Sequence, residues 1–147
     1  QRRNLWVMRE DTLDAMQRHG NWMISDVSFQ VSDLPGAISD LEEAFAAIAP
    51  GPFCVAFGHM GDGNLHSCAR PFDEDPEKHP AEAEAIKQAL QDAVLKWRGS
   101  ISAEHGIGTD KQAAMKGLKD PIAYAMLKTI KGALDPDNLL NPGKLLM

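Results

Sequence analysis

At 147 residues the chain has the length of one domain, given roughly 100 to 200 residues per domain, and 44% hydrophobic with 24% charged residues excludes the disordered, collagenous and repeat classes. Lys and Arg number 15 against 21 Asp and Glu, a formal net charge of -6 with no basic block, which argues against nucleic acid as the main partner. The longest stretch without Asp, Glu, Lys or Arg, Ala44 to Gly61, is interrupted by Pro50, Gly51, Pro52 and Gly58, so no transmembrane segment is expected. The opening Gln1-Arg2-Arg3 runs straight into an amphipathic pattern with no apolar core of a signal peptide, the reading expected of a piece of a longer chain. Two thiols, Cys54 and Cys68, suit a reducing compartment, and a cytoplasmic location is expected.

In chain order, Leu5, Met8, Leu13 and Met16 predict a first helix from Leu5 to His19, closing on Gly20. Val27, Phe29 and Val31 alternate with polar residues and predict a half-buried strand. Ile38, Leu41, Phe45 and Ile48 recur at three and four and predict a second helix over Ala37 to Ile48, stopped by Pro50-Gly51-Pro52. Phe53 to Phe57 and Leu65 to Arg70 read as a hairpin around Gly61-Asp62-Gly63-Asn64. A polar loop over Asp73 to Pro80 leads to a third helix, Ala81 to Trp97, and Ser100 to Ala103 reads as a last short strand. Two more helices, Lys111 to Leu118 and Ile122 to Leu134, precede a tail from Pro136 to Met147. From Val27 to Ala103 the order is strand, helix, strand, strand, helix, strand. That order predicts an α+β fold, a ferredoxin-like antiparallel sheet with helices on one face plus C-terminal helices, and residues 1–147 as a single domain.

Two clusters invite chemistry. Gly58-His59-Met60-Gly61-Asp62-Gly63-Asn64-Leu65-His66 carries two histidines at matching ends of a glycine-rich turn, where they could share a metal across adjacent strands. A plain hairpin explains the glycines equally, and the regular acidic ligands of an EF-hand are absent. In Ser102-Ala103-Glu104-His105-Gly106-Ile107-Gly108, Glu104 could complete a His, His, Glu set with His105 as a nearby base, or the segment could be a charged turn. Leu134 to Lys144 reads as turn, short helical piece and turn. His19 and His79 read as solvent-exposed, and Trp6, Trp22 and Trp97 as core or interface residues, since no basic stripe accompanies them.

Taken in order, these clusters, with Leu140-Asn141-Pro142-Gly143-Lys144 and Trp6-Val7-Met8-Arg9-Glu10, closely resemble the C-terminal domain of FAD-linked oxidases of the D-lactate, glycolate and D-2-hydroxyglutarate dehydrogenase type, over nearly the whole chain. The resemblance implies a domain that covers the isoalloxazine of an FAD held by a separate N-terminal FAD-binding domain. It makes His59, His66 and Glu104 ligands of a divalent metal (Zn, Mn or Fe), His105 the catalytic base, Arg9 a clamp for the substrate carboxylate and Asn141 a neighbour of the flavin. Leu13, Ile24 and Cys68 stand where the 2-hydroxyglutarate type tends to carry Thr, Lys and Asn. Cys68, two residues from His66 and on the same strand face, is therefore expected to meet a small or weakly polar substrate tail. The implied partners are a small 2-hydroxy acid, the FAD-binding domain and an external electron acceptor, with a homodimer left open. Two other readings stay beside this one: a free-standing divalent-metal-binding module or metal-dependent hydrolase acting through the same ligands, and a structural or dimerisation domain.

Overall fold

The computed structural model describes residues 2–18, 20–48, 53–70 and 78–146. The expectations for His19, for Pro50-Gly51-Pro52 and for most of the Asp73 to Pro80 loop fall outside those residues. The fold is α+β. Helices α1 (Arg2–Glu10) and α2 (Thr12–Gln17) lead into two short strands, β1 (Met23–Ile24) and β2 (Val27–Ser28). Helix α3 (Leu34–Ala46) is followed by the hairpin β3 (Phe53–Phe57) and β4 (Asn64–Arg70), then by α4 (Pro80–Lys96), α5 (Gln112–Leu118) and α6 (Pro121–Leu134).

Strand β4 is the centre of the sheet. It pairs antiparallel with β3 on one side, from Phe53 opposite Arg70 to Phe57 opposite His66. On its other side β1 and then β2 pair antiparallel, Ile24 opposite Cys68 and Val27 opposite Leu65. Successive side chains point to opposite faces, so this register separates two surfaces. Val27, Leu65 and Ala69 join Leu34, Ala37, Leu41 and Phe45 of α3 and Ile86, Ala93 and Val94 of α4 in the buried core. His66 and Cys68, with Val55 and Ile24 opposite Cys68, take the other face. One face of the sheet thus carries α3 and α4, as the order of elements predicts.

Four boundaries differ from expectation, each with a local cause. The first helix is two helices, because the Thr12 hydroxyl bonds the Met8 carbonyl at 3.0 Å, the acceptor that its own amide would take. The strand expected through Val31 stops at Ser28; a 3-10 turn at Val31–Asp33 follows, and Val31 lies exposed. Helix α3 begins at Leu34, three residues earlier than Ala37, with Pro35 in its first turn, where a missing amide costs nothing. The strand expected at Ser100 to Ala103 is a single bridge, Ser28 to Ser100, with N–H···O distances of 3.0 and 2.8 Å. Beyond Ser100 the amides of Ala103, Glu104 and His105 donate to the Asp26 carboxylate rather than to a ladder.

Of the tryptophans, Trp22 and Trp97 are half-buried as expected of core or interface positions, whereas Trp6 is exposed on α1. His79, expected to be exposed, is half-buried. No helix among the described residues is long and apolar enough to cross a membrane.

Candidate functional site

Strand β4 and the segment after Ser100 meet on the sheet face turned away from α3 and α4. His66 stands on β4 with 15% of its side chain exposed, and its Nε2 lies 3.5 Å from Glu104 Oε1. Glu104 Oε1 is also 3.7 Å from His105 Nε2, and the two imidazoles lie 5.9 Å apart between ring centroids. Phe57, opposite His66 on β3, places its ring 5.4 Å from the His66 ring and walls that side. His66, Glu104 and His105, 38 and 39 residues apart in sequence, are thus brought together.

His59 ends the other arm of the hairpin and stays outside this contact set, its Nε2 3.4 Å from Arg9 Nη2. Arg9 lies on the last turn of α1 with its guanidinium 5.5 Å from the centroid of the exposed Trp6 ring. The arginine is therefore presented at the hairpin rather than to bulk water alone. Backbone conformation holds the turn: Gly63 adopts a left-handed φ of 79°, and a Cβ there would stand 2.1 Å from the Phe29 carbonyl. Only glycine allows that approach.

Asp26, which the sequence reading passed over, organises the far side. It lies between β1 and β2, 6% exposed, and accepts hydrogen bonds from the Ser102 hydroxyl (3.0 Å) and from the amides of Ala103 (3.1 Å), Glu104 (3.2 Å) and His105 (2.9 Å). Lys111 Nζ stands 3.7 Å from its Oδ2. Burial pushes the Asp26 carboxyl up, but the His105 and Glu104 amides, the Ser102 hydroxyl and Lys111 outweigh it and hold the group below its usual pKa. A charged residue between apolar strand positions, as in Ile24-Ser25-Asp26-Val27, was the available signal.

Cys68 shares the face of His66 but has no solvent-exposed surface, and burial pushes its thiol up to about 12. Leu13 and Ile24 are exposed. Asn141 is exposed with a φ of 50°, in a segment that returns to the site loop through the Leu145 amide, 2.9 Å from the Gly108 carbonyl.

The donor set suits a divalent metal. Two ligands each about 2.0–2.1 Å from a tetrahedral ion stand about 3.3 Å apart, and the His66–Glu104 separation of 3.5 Å approaches that value. Among the described residues, one donor atom each from Asp26, His66 and His105 also falls within 4.8 Å of the others. Oδ2 of Asp26 already accepts from four donors, and Oδ1 takes only the longer 3.4 Å branch of the Glu104 amide's bond.

The described residues thus form an α+β domain in which two imidazoles and a carboxylate meet, with a third imidazole paired to a guanidinium. The model of the family "FAD linked oxidases, C-terminal domain" matches residues 1–145. Over 142 residues the chain is 35% identical to D-2-hydroxyglutarate dehydrogenase of Xanthomonas citri pv. viticola, covering 96% of this chain and 30% of that protein. It is 35% identical over 148 residues to the mitochondrial D-2-hydroxyglutarate dehydrogenase of Rattus norvegicus, covering 97% and 25%. To the mitochondrial D-lactate dehydrogenase [cytochrome] of Arabidopsis thaliana it is 33% identical over 148 residues, covering 99% and 26%. The chain belongs to the C-terminal domain family of FAD linked oxidases. It spans between a quarter and a third of the length of these relatives.

Proposed function

We propose that the chain is the substrate- and metal-binding C-terminal domain of an FAD-dependent 2-hydroxy acid dehydrogenase. The observation that carries this reading is the convergence of His66, Glu104 and His105, with Arg9 paired to His59 on the other arm of the hairpin, in a fold whose family is FAD-linked. His59, His66 and Glu104 would hold the metal, His59 turning from Arg9 toward the ion. When bound, that metal would lower the pKa of the substrate hydroxyl, and FAD, held mainly by a preceding domain, would supply the acceptor for the hydride of the alpha carbon.

The remaining tasks fall to this chain. Arg9 pairs with the substrate carboxylate, and its freed guanidinium matches a carboxylate in two-point geometry. His105, with 66% of its side chain exposed, faces the space where a substrate enters and takes the hydroxyl proton at an imidazole nitrogen. Orientation of the alpha carbon by Arg9 and the metal ligands turns the transfer into a positioned, unimolecular step. Asn141 would lie toward the flavin. Leu13, Ile24 and the covered Cys68 offer no cation to a second carboxylate, which favours a lactate-like acid or one with a longer alkyl tail over 2-hydroxyglutarate.

A preceding domain also accounts for an unpartnered apolar surface. Ile122, Met126, Ile130 and Leu134 recur every fourth residue along α6, and all four are exposed.

The test is elemental analysis of the full-length enzyme. About one divalent metal per chain is expected, lost in His59→Ala and His66→Ala; full metal content in both variants would overturn the assignment. Reduction of bound flavin by lactate, longer alkyl 2-hydroxy acids and 2-hydroxyglutarate, compared side by side, reads the substrate, and a clear preference for 2-hydroxyglutarate would refute the tail argument.

A further inference from the structure

We propose that Asp26 is the positioning residue of this site: its buried carboxylate sets the backbone of Ser102 to His105, and through it the placement of Glu104 and His105 against His66. The proposal rests on the metal and base reading above and deepens it.

The edge strand breaks between β1 and β2, pairing resumes at Val27, and the Asp26 carboxylate at the break turns to meet the loop after Ser100. Four donors from consecutive residues, Ser102 to His105, converge on it. All four end on Oδ2, and the Glu104 amide reaches Oδ1 as well at 3.4 Å, so one carboxylate oxygen is fully engaged by the loop. Its Oδ2 is thereby committed to the loop, although a donor atom of Asp26 lies within 4.8 Å of donor atoms of His66 and His105. Lys111 compensates the buried charge, with Nζ 3.7 Å from Oδ2 and 3.4 Å from the Asp26 carbonyl.

The loop needs such an anchor. Beyond His105, Gly106 and Gly108 both adopt left-handed φ values, 78° and 58°, with open space where a Cβ would stand. Glu104 and His105 are themselves exposed, so no packing fixes their side chains. Three consecutive amides bound to one charged acceptor restrict the peptide planes on both sides of Glu104, and so the directions of the Glu104 and His105 side chains. Charge-assisted bonds of this kind are roughly twice as strong as neutral ones.

The experiment uses the full-length enzyme stripped of metal. Cobalt(II) titration, followed by its d–d absorption, reads affinity at the site, and deuterium uptake over residues 102–106 reads the loop. Asp26→Asn, at a temperature where circular dichroism shows it folded, is expected to bind cobalt(II) about 10- to 100-fold more weakly and to exchange faster over that peptide. Gly36→Ala, whose Cβ would press on the Trp97 ring at 2.5 Å, is expected to lose stability with cobalt affinity unchanged, which separates positioning from general weakening of the fold. Faster exchange in Asp26→Asn with wild-type cobalt affinity would overturn the proposal. Should Asp26→Asn fail to fold, Ser102→Ala decides: it removes one donor and keeps the carboxylate, so a smaller loss of affinity supports the role and wild-type affinity refutes it. A wild type that takes up no cobalt sinks the metal reading alone. The Overhauser contact between the His66 and His105 rings in histidine-labelled protein then judges Asp26, its loss in Asp26→Asn supporting positioning and its survival refuting it.

Discussion

At the scale of single residues, His105 and Asp135 make opposite uses of their surroundings. His105 is exposed beside Glu104, and the metal reading gives Glu104 the hard oxygen and leaves the imidazole free for a proton. In the full-length flavoenzyme His105→Ala is expected to keep metal and FAD while slowing flavin reduction by substrate roughly 100-fold or more. Rapid mixing with metal analysis of the same sample checks it: metal loss would make His105 a ligand, and an unchanged rate would remove it from the chemistry. Asp135, 8% exposed, pairs with Lys131 and accepts from the amides of Leu139 (2.8 Å) and Leu140 (2.9 Å). Lys131 lowers its pKa most; burial opposes, and the Leu140 and Leu139 amides add to the lowering. A carboxyl with a folded pKa below its unfolded one contributes stability above the unfolded value, near 4, and loses it as pH falls through the folded value. Asp135→Asn should therefore lower the melting temperature at pH 7 and do so progressively less below about pH 4. Equal effects at pH 7 and pH 3 would show that the charge is not responsible.

Between elements, glycines set how closely the pieces approach. Gly63 brings the hairpin turn against the strand end at Phe29, where the Phe29 amide donates to the Gly63 carbonyl at 3.0 Å. Gly63→Ala combines a left-handed φ with a backbone clash and is expected to cost about 3 kcal/mol or more, lowering metal content with stability because His59 and His66 flank the turn. Gly36 lets α3 meet Trp97 at the end of α4, where the indole N–H donates to Asp40 at 2.6 Å. Gly36→Ala is expected to cost about 1–3 kcal/mol without touching the site. Denaturant unfolding followed by tryptophan fluorescence measures both, and a smaller cost at Gly63 than at Gly36 would refute the assigned roles. The helices α3 and α4 and the hairpin were legible because apolar period and breakers agree over long runs. The end of the Ser100 strand was not, because the Ala103 amide goes to Asp26, 77 residues away, and no local pattern carries that bond.

For the whole molecule, the α6 stripe and exposed Leu5 and Met8 on α1 leave apolar surface facing water. The 147-residue chain on its own is expected to bind a hydrophobic dye, and Ile122→Ser with Met126→Ser to reduce that binding without loss of stability, since neither side chain is in the core. The same chain is expected to be colourless and inactive as a dehydrogenase, because its glycine-rich segments form the hairpin turn and the site loop, with no phosphate-cradling turn between strand and helix. Stoichiometric flavin absorbance in that sample would contradict this.

The linear chain by itself determined the helices α3 to α6, the hairpin and the family resemblance, because periodicity, turn residues and contiguous motifs are local properties, whereas β1 and the split of the first helix carried no such pattern. Which side chains meet was decided only in three dimensions. His66 reaches Glu104, Arg9 reaches His59, and Asp26 gathers the amides after Ser102, each across 38 residues or more of chain. Such contacts depend on strand register, on a broken edge strand and on the angle at which a loop returns. Those are fixed by packing the whole core at once, and a buried carboxylate holds its charge only where the fold delivers enough donors to replace water.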